Sequence, residues 1–547
     1  MSASSLAVHL AEAERLVDAA QIEGTPVHER LEALLAESSV RRGRPRGLSV
    51  RTLLVAIQLG AFAGRFFLID LPGLLEPLGP AARSSLGLKR RGEPVTYRQI
   101  CYLVTRIDEV LRANFAYRDG RLVDGLGEFD RIFNALATTG AHPDTASVSS
   151  IAIDGSDIPT WGTSSVREDL VWEEDESGQV RIARDDDGGA LWKKARIVTD
   201  SDAAWRGSRE VEGKPSHFGY SLTVAISARE ESGSEVPRAA LAARLRPVTV
   251  QDKAMGLACV GEVAARRDQL GDVLVDRGYT NSMDGRDFLL PARALGAEPV
   301  FDLTTYQVGL QGTLRGAILI DGRPYSPSTP RSLHRIERPT GTQNGTYFPA
   351  HRAVRDYQAQ IAAREAYALV AHGAVRDNLT QVFQCPGAAG KLECPLRPAR
   401  RGLREGALPV LNAPARPGED SVCARAFSSF SLEEIPLYQR DVYGSNAWAR
   451  SYSRRQTSVE TYFANIKDAA GENFARGRIR VMGIVKIGLF VAATLASANR
   501  RLALSFDPER IAKRQKHRRP GRPTRHRRLT YREVVEDAKA SKVVLRT

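Results

Sequence analysis

The sequence predicts a mixed α/β protein, with a helical N-terminal region before a core that contains a sheet. Up to about residue 138 apolar residues recur at helical spacing, and from about residue 148 they follow strand spacing. A helical stretch then separates two of the predicted strands, which is typical of a mixed sheet. At 547 residues the chain is too long for one ordinary core, so we expect several domains or a large insertion.

Composition and charge point to a globular protein with an anionic partner. Hydrophobic residues make up 42% and charged residues 26%, which is ordinary for a soluble protein. The net charge is +14, and residues 513–528 contribute most of it because they hold nine Lys or Arg and no acid. Such a block repels itself unless it meets a polyanion, and nucleic acid is the obvious candidate.

No secretory or membrane segment is predicted. The N-terminal residues lack the basic and apolar regions of a signal peptide. The most apolar window, residues 52–75, is interrupted by Gln58, Arg65 and Asp70, so we expect a buried helical region there. Five cysteines without a signal fit a reducing compartment. We therefore expect a cytoplasmic, nucleoid-associated protein without membrane contact.

Residues 1–140 form the predicted helical region, which suits DNA binding and plain packing equally well. Its clearest helix lies within residues 95–115, and Pro94 and Thr96 mark a helix start. The apolar residues on one face of that helix are Ile100, Leu103, Val104, Ile107 and Leu111.

The sheet-containing core is predicted at 148–304, and it resumes at 441–506. A surface excursion, rich in charge, is predicted at 164–213. The predicted strands are 149–154, 217–227, 239–251 and 272–279, with a helix at 256–271 between the last two.

An insertion is predicted at 305–440, and a basic tail at 507–547. Within the insertion, Asp321-Gly322 between apolar runs signals a hairpin. A helix follows at 352–373, and then a stretch rich in Pro, Gly and Arg.

Three acids stand out by position. Asp154 ends the first predicted strand, Asp276 ends the strand "VLVD", and Glu460 lies at the start of the predicted helix 458–468. Carboxylates suit Mg²⁺, which is a hard ion that prefers oxygen ligands. Asp157 follows Gly155 and Ser156 and is interpreted as a turn residue rather than a ligand. Glu460 has a second interpretation, because Thr457 and Glu460 also match a helix capping box.

The segments "AIDGS", "VLVDRGY" and "SVETYFANIKD", in this order, resemble the Asp, Asp and Glu segments of insertion-sequence transposases. Residues 199–226 resemble that family's segment leading into the second core strand. The resemblance implies an RNase H-like core with an insertion before the Glu. It also implies that Asp154, Asp276 and Glu460 hold two Mg²⁺ or Mn²⁺ ions for cleavage of element ends and strand transfer into target DNA. The expected form on DNA is a homo-oligomer.

The helix carrying Glu460 resembles a family signature of Tyr, Arg, Glu and Lys. Tyr452, Arg455, Glu460 and Lys467 match it in type, but the spacing from Arg455 to Glu460 is one residue longer than usual. Seven residues are nearly two helical turns, so Glu460 and Lys467 should share a face. The resemblance implies that Lys467, and also Arg455 and Tyr452, contact DNA.

Two basic segments are further candidates for DNA contact. Residues 41–47, "RRGRPRG", are similar to the core of an AT-hook, whose arginines (here Arg42 and Arg44) lie in a narrow minor groove. A solvated basic linker is the equal alternative. In the tail, Arg518, Arg519 and Arg522 are predicted to contact phosphates, so deleting 507–547 should flatten the salt dependence of DNA binding.

The cysteines favour reduced structural thiols over zinc. Cys385, Cys394 and Cys423 are separated by eight and 28 residues, with no fourth Cys or His nearby. Structural zinc usually takes four ligands in two close pairs. Cys101 and Cys259 lie in apolar helical stretches and are expected in the core.

Three functions remain open at this point. The leading hypothesis is a transposase. An RNase H-like nuclease that cuts without joining is the second, and a non-catalytic DNA-binding protein derived from a transposase is the third. The intact set of acids counts against the third, and terminal inverted repeats around the gene would favour the first.

Overall fold

The computed structural model describes most of the chain outside its basic segments. The described residues are 3–38, 47–88, 94–118, 121–124, 127–162, 168–170, 172–174, 180–182, 192–194, 200–206, 217–231, 233, 235–249, 252–339, 342–343, 346–347, 351–397, 417–419, 421–468, 472 and 478–507. The predicted DNA-contacting residues Arg42, Arg44, Arg518, Arg519 and Arg522 lie outside them. So does most of the charged segment 164–213.

The N-terminal region is mainly helical, as its periodicity predicts. Its α-helices are α1 (Ala3–Ala19), α2 (Val27–Glu37), α3 (Val50–Phe62), α4 (Leu71–Leu75), α5 (Pro80–Ser85), α6 (Tyr97–Arg112) and α7 (Gly127–Ala137). Short 3₁₀ helices cover Leu68–Asp70 and Pro143–Ser147, and two-stranded pairs join Gln21–Ile22 to Thr25–Pro26 and Ala116–Arg118 to Arg121–Asp124. Thr96 caps α6 in a full capping box with Gln99, and all five predicted apolar residues of its inner face are buried.

A mixed sheet forms the centre of the molecule, which confirms the α/β class. Its strands are β1 (Ile151–Pro159), β2 (Ala204–Arg206), β3 (His217–Ser227), β4 (Ala240–Pro247), β5 (Asp272–Val275) and β6 (Glu298–Phe301). Six strands occupy five positions, because β2 and β4 pair with different parts of the same edge of β3. From β3 the order continues through β1 and β5 to β6; β3 and β1 are antiparallel, whereas β1, β5 and β6 run parallel.

The first strand is longer than predicted, and the placement of Asp154 at its end is wrong. All nine residues of β1 pair with β3, so Asp154 is the fourth residue of the strand. Asp157 is not a turn residue either, since it pairs with Ser221 within the same ladder. Residues three apart in a strand point to opposite faces, so the two aspartates are directed to different sides of the sheet.

The two faces of the sheet are covered by different helices. On one face α8 (Asp252–Ala264), which begins earlier than predicted, and α9 (Leu289–Ala294) pack on an apolar cluster that also includes Trp448. The other face shares a single cluster with the N-terminal helices and with α13 (Ile484–Ser505). The close approach of α13 to α7 requires Gly488, because a Cβ there would lie 2.6 Å from the ring of Phe129.

A buried polar contact also ties the N-terminal region to the start of α13. Asp202, whose side chain is fully buried, accepts a hydrogen bond from the backbone N–H of Ile484 at 2.9 Å and pairs with Arg112 of α6. Asp202 therefore caps the first turn of α13, where backbone N–H groups that have no acceptor within the helix favour a carboxylate.

The described residues of 305–440, the predicted insertion, include two three-stranded sheets. Their strands are β7 (Leu310–Leu314), β8 (Ala317–Ile320), β9 (Arg323–Tyr325), β10 (Val370–His372), β11 (Thr380–Gln384) and β12 (Phe427–Ser431). Smaller elements nearby are the 3₁₀ helix Arg331–Leu333 and the paired strands Thr342–Gln343 and Thr346–Tyr347, and short strands Glu168–Leu170, Trp172–Glu174, Val180–Ile182 and Trp192–Lys194 pair within the charged segment.

The predicted hairpin at Asp321-Gly322 is confirmed. It joins β8 to β9, and both residues have positive φ (49° and 78°), the geometry of the tight turns that suit hairpins. The following helix, α10 (His351–Glu365), is shorter than predicted because residues 370–372 form β10 instead.

The described cysteines are all unbridged. Cys259 is buried as expected, whereas Cys101 is only partly buried, so its assignment to the core is wrong. None of the helices in the described part of the chain has the length and apolar character needed to cross a membrane.

Candidate active site

Asp154 lies on a central strand of the mixed sheet. Its strand is central, with β3 on one side and β5 on the other. The backbone N–H of Gly155 donates to Oδ1 of Asp154 at 2.9 Å, and the side chain is 23% exposed. The carboxylate is therefore fixed in direction but still reachable from solvent.

Asp276 comes directly after β5, the parallel neighbour of β1. A tight turn fixes its side chain, because Oδ1 accepts a hydrogen bond from the N–H of Gly278 at 2.9 Å. A Cβ at residue 278 would lie only 3.0 Å from that same oxygen, which explains why glycine suits the position.

Glu460 lies inside a long helical segment rather than at a helix start, which corrects the sequence prediction. The segment consists of α11 (Asn446–Arg455), a π-helical turn (Gln456–Glu460) and α12 (Thr461–Lys467). Its N-cap is Ser445. The capping box is absent too, since the hydroxyl of Thr457 donates to the carbonyl of Arg454. Glu460 is thus available for another role.

The π-helical turn accounts for the unusual spacing between Arg455 and Glu460. A π turn closes hydrogen bonds over five residues and so absorbs one extra residue without rotating the helix on either side. Arg455 and Glu460 consequently face each other, with Nη1 of the arginine 2.8 Å from Oε1 of the glutamate. The extra residue therefore leaves Arg455 and Glu460 in contact on one side of the helical segment.

Arg455 also joins the helix to the sheet. Its Nη2 donates to Oδ2 of Asp154 at 2.6 Å, so one guanidinium bridges two of the three predicted acids. The side chain is 11% exposed, and its Nε is buried without a hydrogen-bond partner among the described residues. Arg455 therefore occupies the space between Asp154 and Glu460.

The pKa values of Asp154 and Arg455 respond to the charges of the neighbouring acids. Burial raises the pKa of Asp154, Arg455 and the Gly155 N–H lower it, and the charges of Asp276 and Glu460 raise it again, with a net increase. Burial lowers the pKa of Arg455, but the charges of Asp154, Asp276, Glu460 and Tyr452 raise it by more, so the net shift is upward. Arg455 therefore holds Asp154 and Glu460 together against their mutual repulsion, and the charge of Asp276 acts on both Asp154 and Arg455.

The carboxylates of Asp154, Asp276 and Glu460 are of the type that binds hard divalent cations. Three carboxylates from separate elements supply only oxygen ligands, as Mg²⁺ and Mn²⁺ prefer. Among the described residues no three Asp, Glu, His or Cys side chains are close enough together to hold a metal ion. The guanidinium of Arg455 lies between Asp154 and Glu460 and makes a hydrogen bond to each.

Tyr452 lies beside the acids, whereas Lys467 does not contact them. The ring of Tyr452 stacks on Trp448 with centroids 5.2 Å apart. Burial is the main cause that raises the pKa of Tyr452 to about 12, and the charges of Asp302 and Asp276 contribute. Lys467 is exposed at the end of α12, with its Nζ 5.8 Å from the ring centre of Phe463.

One acid of this region was missed by the sequence analysis. Asp302 directly follows β6, as Asp276 follows the adjacent parallel strand β5. The carboxyl ends of parallel strands meet at one edge of a sheet, so "EPVFD" carried a usable signal. Asp302 is buried and accepts a hydrogen bond from the hydroxyl of Tyr443 at 2.6 Å.

Comparisons with protein-family models, curated proteins and solved structures gave no match to this chain.

Proposed function

We propose that this chain is a DNA transposase with an RNase H-like catalytic core. One observation carries the proposal: Asp154 and Glu460, which are far apart in sequence, bind one guanidinium, that of Arg455, beside the central mixed sheet, and the charge of Asp276 raises the pKa of the same guanidinium. Burial of several charged side chains in one place costs stability. Clusters of this kind are therefore more common at functional sites than in purely structural ion pairs.

Asp154, Asp276 and Glu460 are the residues that would hold two Mg²⁺ or Mn²⁺ ions. Such ions, when bound, supply the charge that activates the attacking oxygen and stabilises the leaving oxygen of a phosphodiester. The chain itself contributes rigid placement of each ligand: the central strand for Asp154, a tight turn for Asp276 and the π turn for Glu460. Accurate placement of the reacting groups is a large part of catalysis in phosphoryl transfer.

The DNA-contacting roles belong to this proposal as well. Tyr452 and Arg455 border the acids, and Lys467 projects to solvent from the same helical segment. The protein would act on element ends and target DNA as a homo-oligomer, in the cytoplasm and in association with the nucleoid.

The test combines purified protein, Mg²⁺ and duplexes that carry the DNA flanking the gene, with and without a second duplex as target. The wild type should cut the flanking duplex and join its 3′ end to the target. Asp154→Asn, Asp276→Asn and Glu460→Gln should each lose at least about a thousandfold in rate, because each removes a metal ligand.

Asp157→Asn is the matched control, since it makes the same change three residues along the same strand on the opposite face. It should cut and join normally. Undiminished cleavage by Asp276→Asn would overturn the assigned site. Cleavage without joining would indicate a nuclease, and binding without cleavage would indicate a non-catalytic regulator.

A further inference from the structure

A second group of charged residues adjoins the acids. The carboxylate of Asp302 is 8% exposed and lies at the carboxyl end of β6. Two guanidinium groups approach the same oxygen, Oδ2: that of Arg277 at 3.6 Å and that of Arg338 at 3.5 Å. Arg277 and Arg338 are called the arginine pair below.

The side chains of the arginine pair are exposed to solvent. The side chain of Arg277 is 61% exposed and that of Arg338 is 45% exposed. Both distances to Asp302 are longer than hydrogen bonds, and the guanidinium side of each pair is exposed to solvent, so these pairs add little to stability. Stability alone therefore does not explain why two arginines converge on one buried acid.

The position of the arginine pair ties it to the candidate active site. Arg277 is the residue after Asp276, and the pKa of Tyr452 responds to the charges of Arg455, Asp302, Asp276 and Arg277 together. Arg338 belongs to the insertion, and its guanidinium lies 6.0 Å from the ring centre of Trp448, on which Tyr452 stacks. Core and insertion thus each supply one arginine beside the same acids.

We propose that the arginine pair binds the phosphodiester backbone of DNA next to the bond that is cut, and that Asp302 is the residue that positions it. The planar guanidinium matches a phosphate in geometry and remains charged at every physiological pH. Asp302 restricts two flexible side chains before DNA arrives, which lowers the entropy lost on binding. This inference rests on the proposed function, because it takes DNA as the substrate.

The experiment measures binding of the full chain to a fluorescein-labelled 40-base-pair duplex from the gene's flank, in EDTA and at several salt concentrations. Each phosphate contact that is lost should reduce the slope of log affinity against log salt by about 0.9. Arg277→Gln and Arg338→Gln should each produce that reduction, and the double variant about twice as much. Arg315→Gln is the control, since Arg315 is similarly exposed and pairs with Glu434 in the insertion.

The Asp302→Asn variant distinguishes a role of Asp302 in positioning the arginine pair from an effect of its negative charge alone. Removal of a negative charge should tighten DNA binding if the acid only reduces the local potential. If Asp302 positions the arginine pair, binding should instead weaken, by about threefold to tenfold, although the protein has become more positive. A thermal unfolding midpoint close to that of the wild type would show that Asp302→Asn still folds, as expected if asparagine keeps the hydrogen bond from Tyr443.

Two results would overturn the inference: unchanged salt slopes in both arginine variants, or tighter binding by Asp302→Asn. Either result with normal wild-type binding removes the role of the arginine pair and leaves the proposed function intact. A wild-type chain that binds no DNA would instead remove the proposed function itself.

Discussion

Replacement of Arg455 by glutamine is expected to increase the affinity of the DNA-free protein for Mn²⁺. In the structure the guanidinium makes two short hydrogen bonds, 2.6 Å to Asp154 and 2.8 Å to Glu460. A metal ion that uses these two carboxylates must first break both bonds. Arg455→Gln removes the competing cation and leaves the three acids in place.

The size of the effect follows from those two bonds. Hydrogen bonds to charged groups contribute about 1.5–3 kcal/mol each. The released side chain regains up to about 2 kcal/mol of rotamer freedom. The net cost of displacing Arg455 is then about 1–4 kcal/mol. Since about 1.4 kcal/mol corresponds to tenfold, Mn²⁺ should bind roughly five to several hundred times more tightly to the variant.

Isothermal titration calorimetry or electron paramagnetic resonance of Mn²⁺, without DNA, measures this affinity directly. Arg315→Gln should bind Mn²⁺ like the wild type, because Arg315 is paired elsewhere in the insertion. A second measurement is thermal unfolding. Metal-free Arg455→Gln should be less stable than the wild type, since its carboxylates repel each other, and saturating Mn²⁺ should remove the difference. Equal or weaker Mn²⁺ binding by Arg455→Gln would refute the reasoning.

Three other outcomes are expected. Deletion of Thr457 should convert the π turn to ordinary helix and leave folding and Mn²⁺ binding intact. Deletion of Ala464 in α12 should instead rotate the rest of that helix and destabilise the protein. Equal loss of stability in both variants would contradict the interpretation of the π turn. Asp321→Asn leaves the buried Arg364 without its counter-charge and should lower the free energy of urea unfolding by about 3–5 kcal/mol, and a loss below about 1 kcal/mol would contradict this. Burial raises the pKa of the Cys259 thiol to about 12, so its alkylation by iodoacetamide in the native protein should be slow at pH 8 and rise about tenfold per pH unit up to that pKa; rapid labelling at pH 8 would contradict this.

The parts of the fold that the sequence predicts well are those with a local signal. The apolar run before Asp276 ends in a Gly-containing turn, and both lie within eight residues. The extent of β1 is not local, because its nine residues continue as far as β3 offers partners. Nothing within "GSDIP" reveals that neighbour, and so Asp154 was placed at a strand end.

The site around Glu460 shows the same limit. Thr457 and Glu460 have the types and spacing of a capping box, yet the helical segment already begins after Ser445. The bridge made by Arg455 depends on a π turn and on a strand 301 residues away. Neither can be seen in a linear pattern, where the extra residue between Arg455 and Glu460 looks like a mismatch. In the folded chain the π turn accommodates the extra residue, and Arg455 contacts Glu460.

Under the proposed function, the core shared by the N-terminal helices and the sheet has a geometric consequence. Ala152 and Ile158 of β1 belong to the same apolar cluster as residues of α3 and α13, so the helical region and the acids are fixed relative to each other. A recognition sequence bound by the helical region would lie at a constant distance from the acids. The cleavage position would then be set by its distance from the recognition sequence. Because B-DNA turns once in about ten base pairs, five extra base pairs between recognition sequence and cut site would present the wrong side of the duplex to the acids.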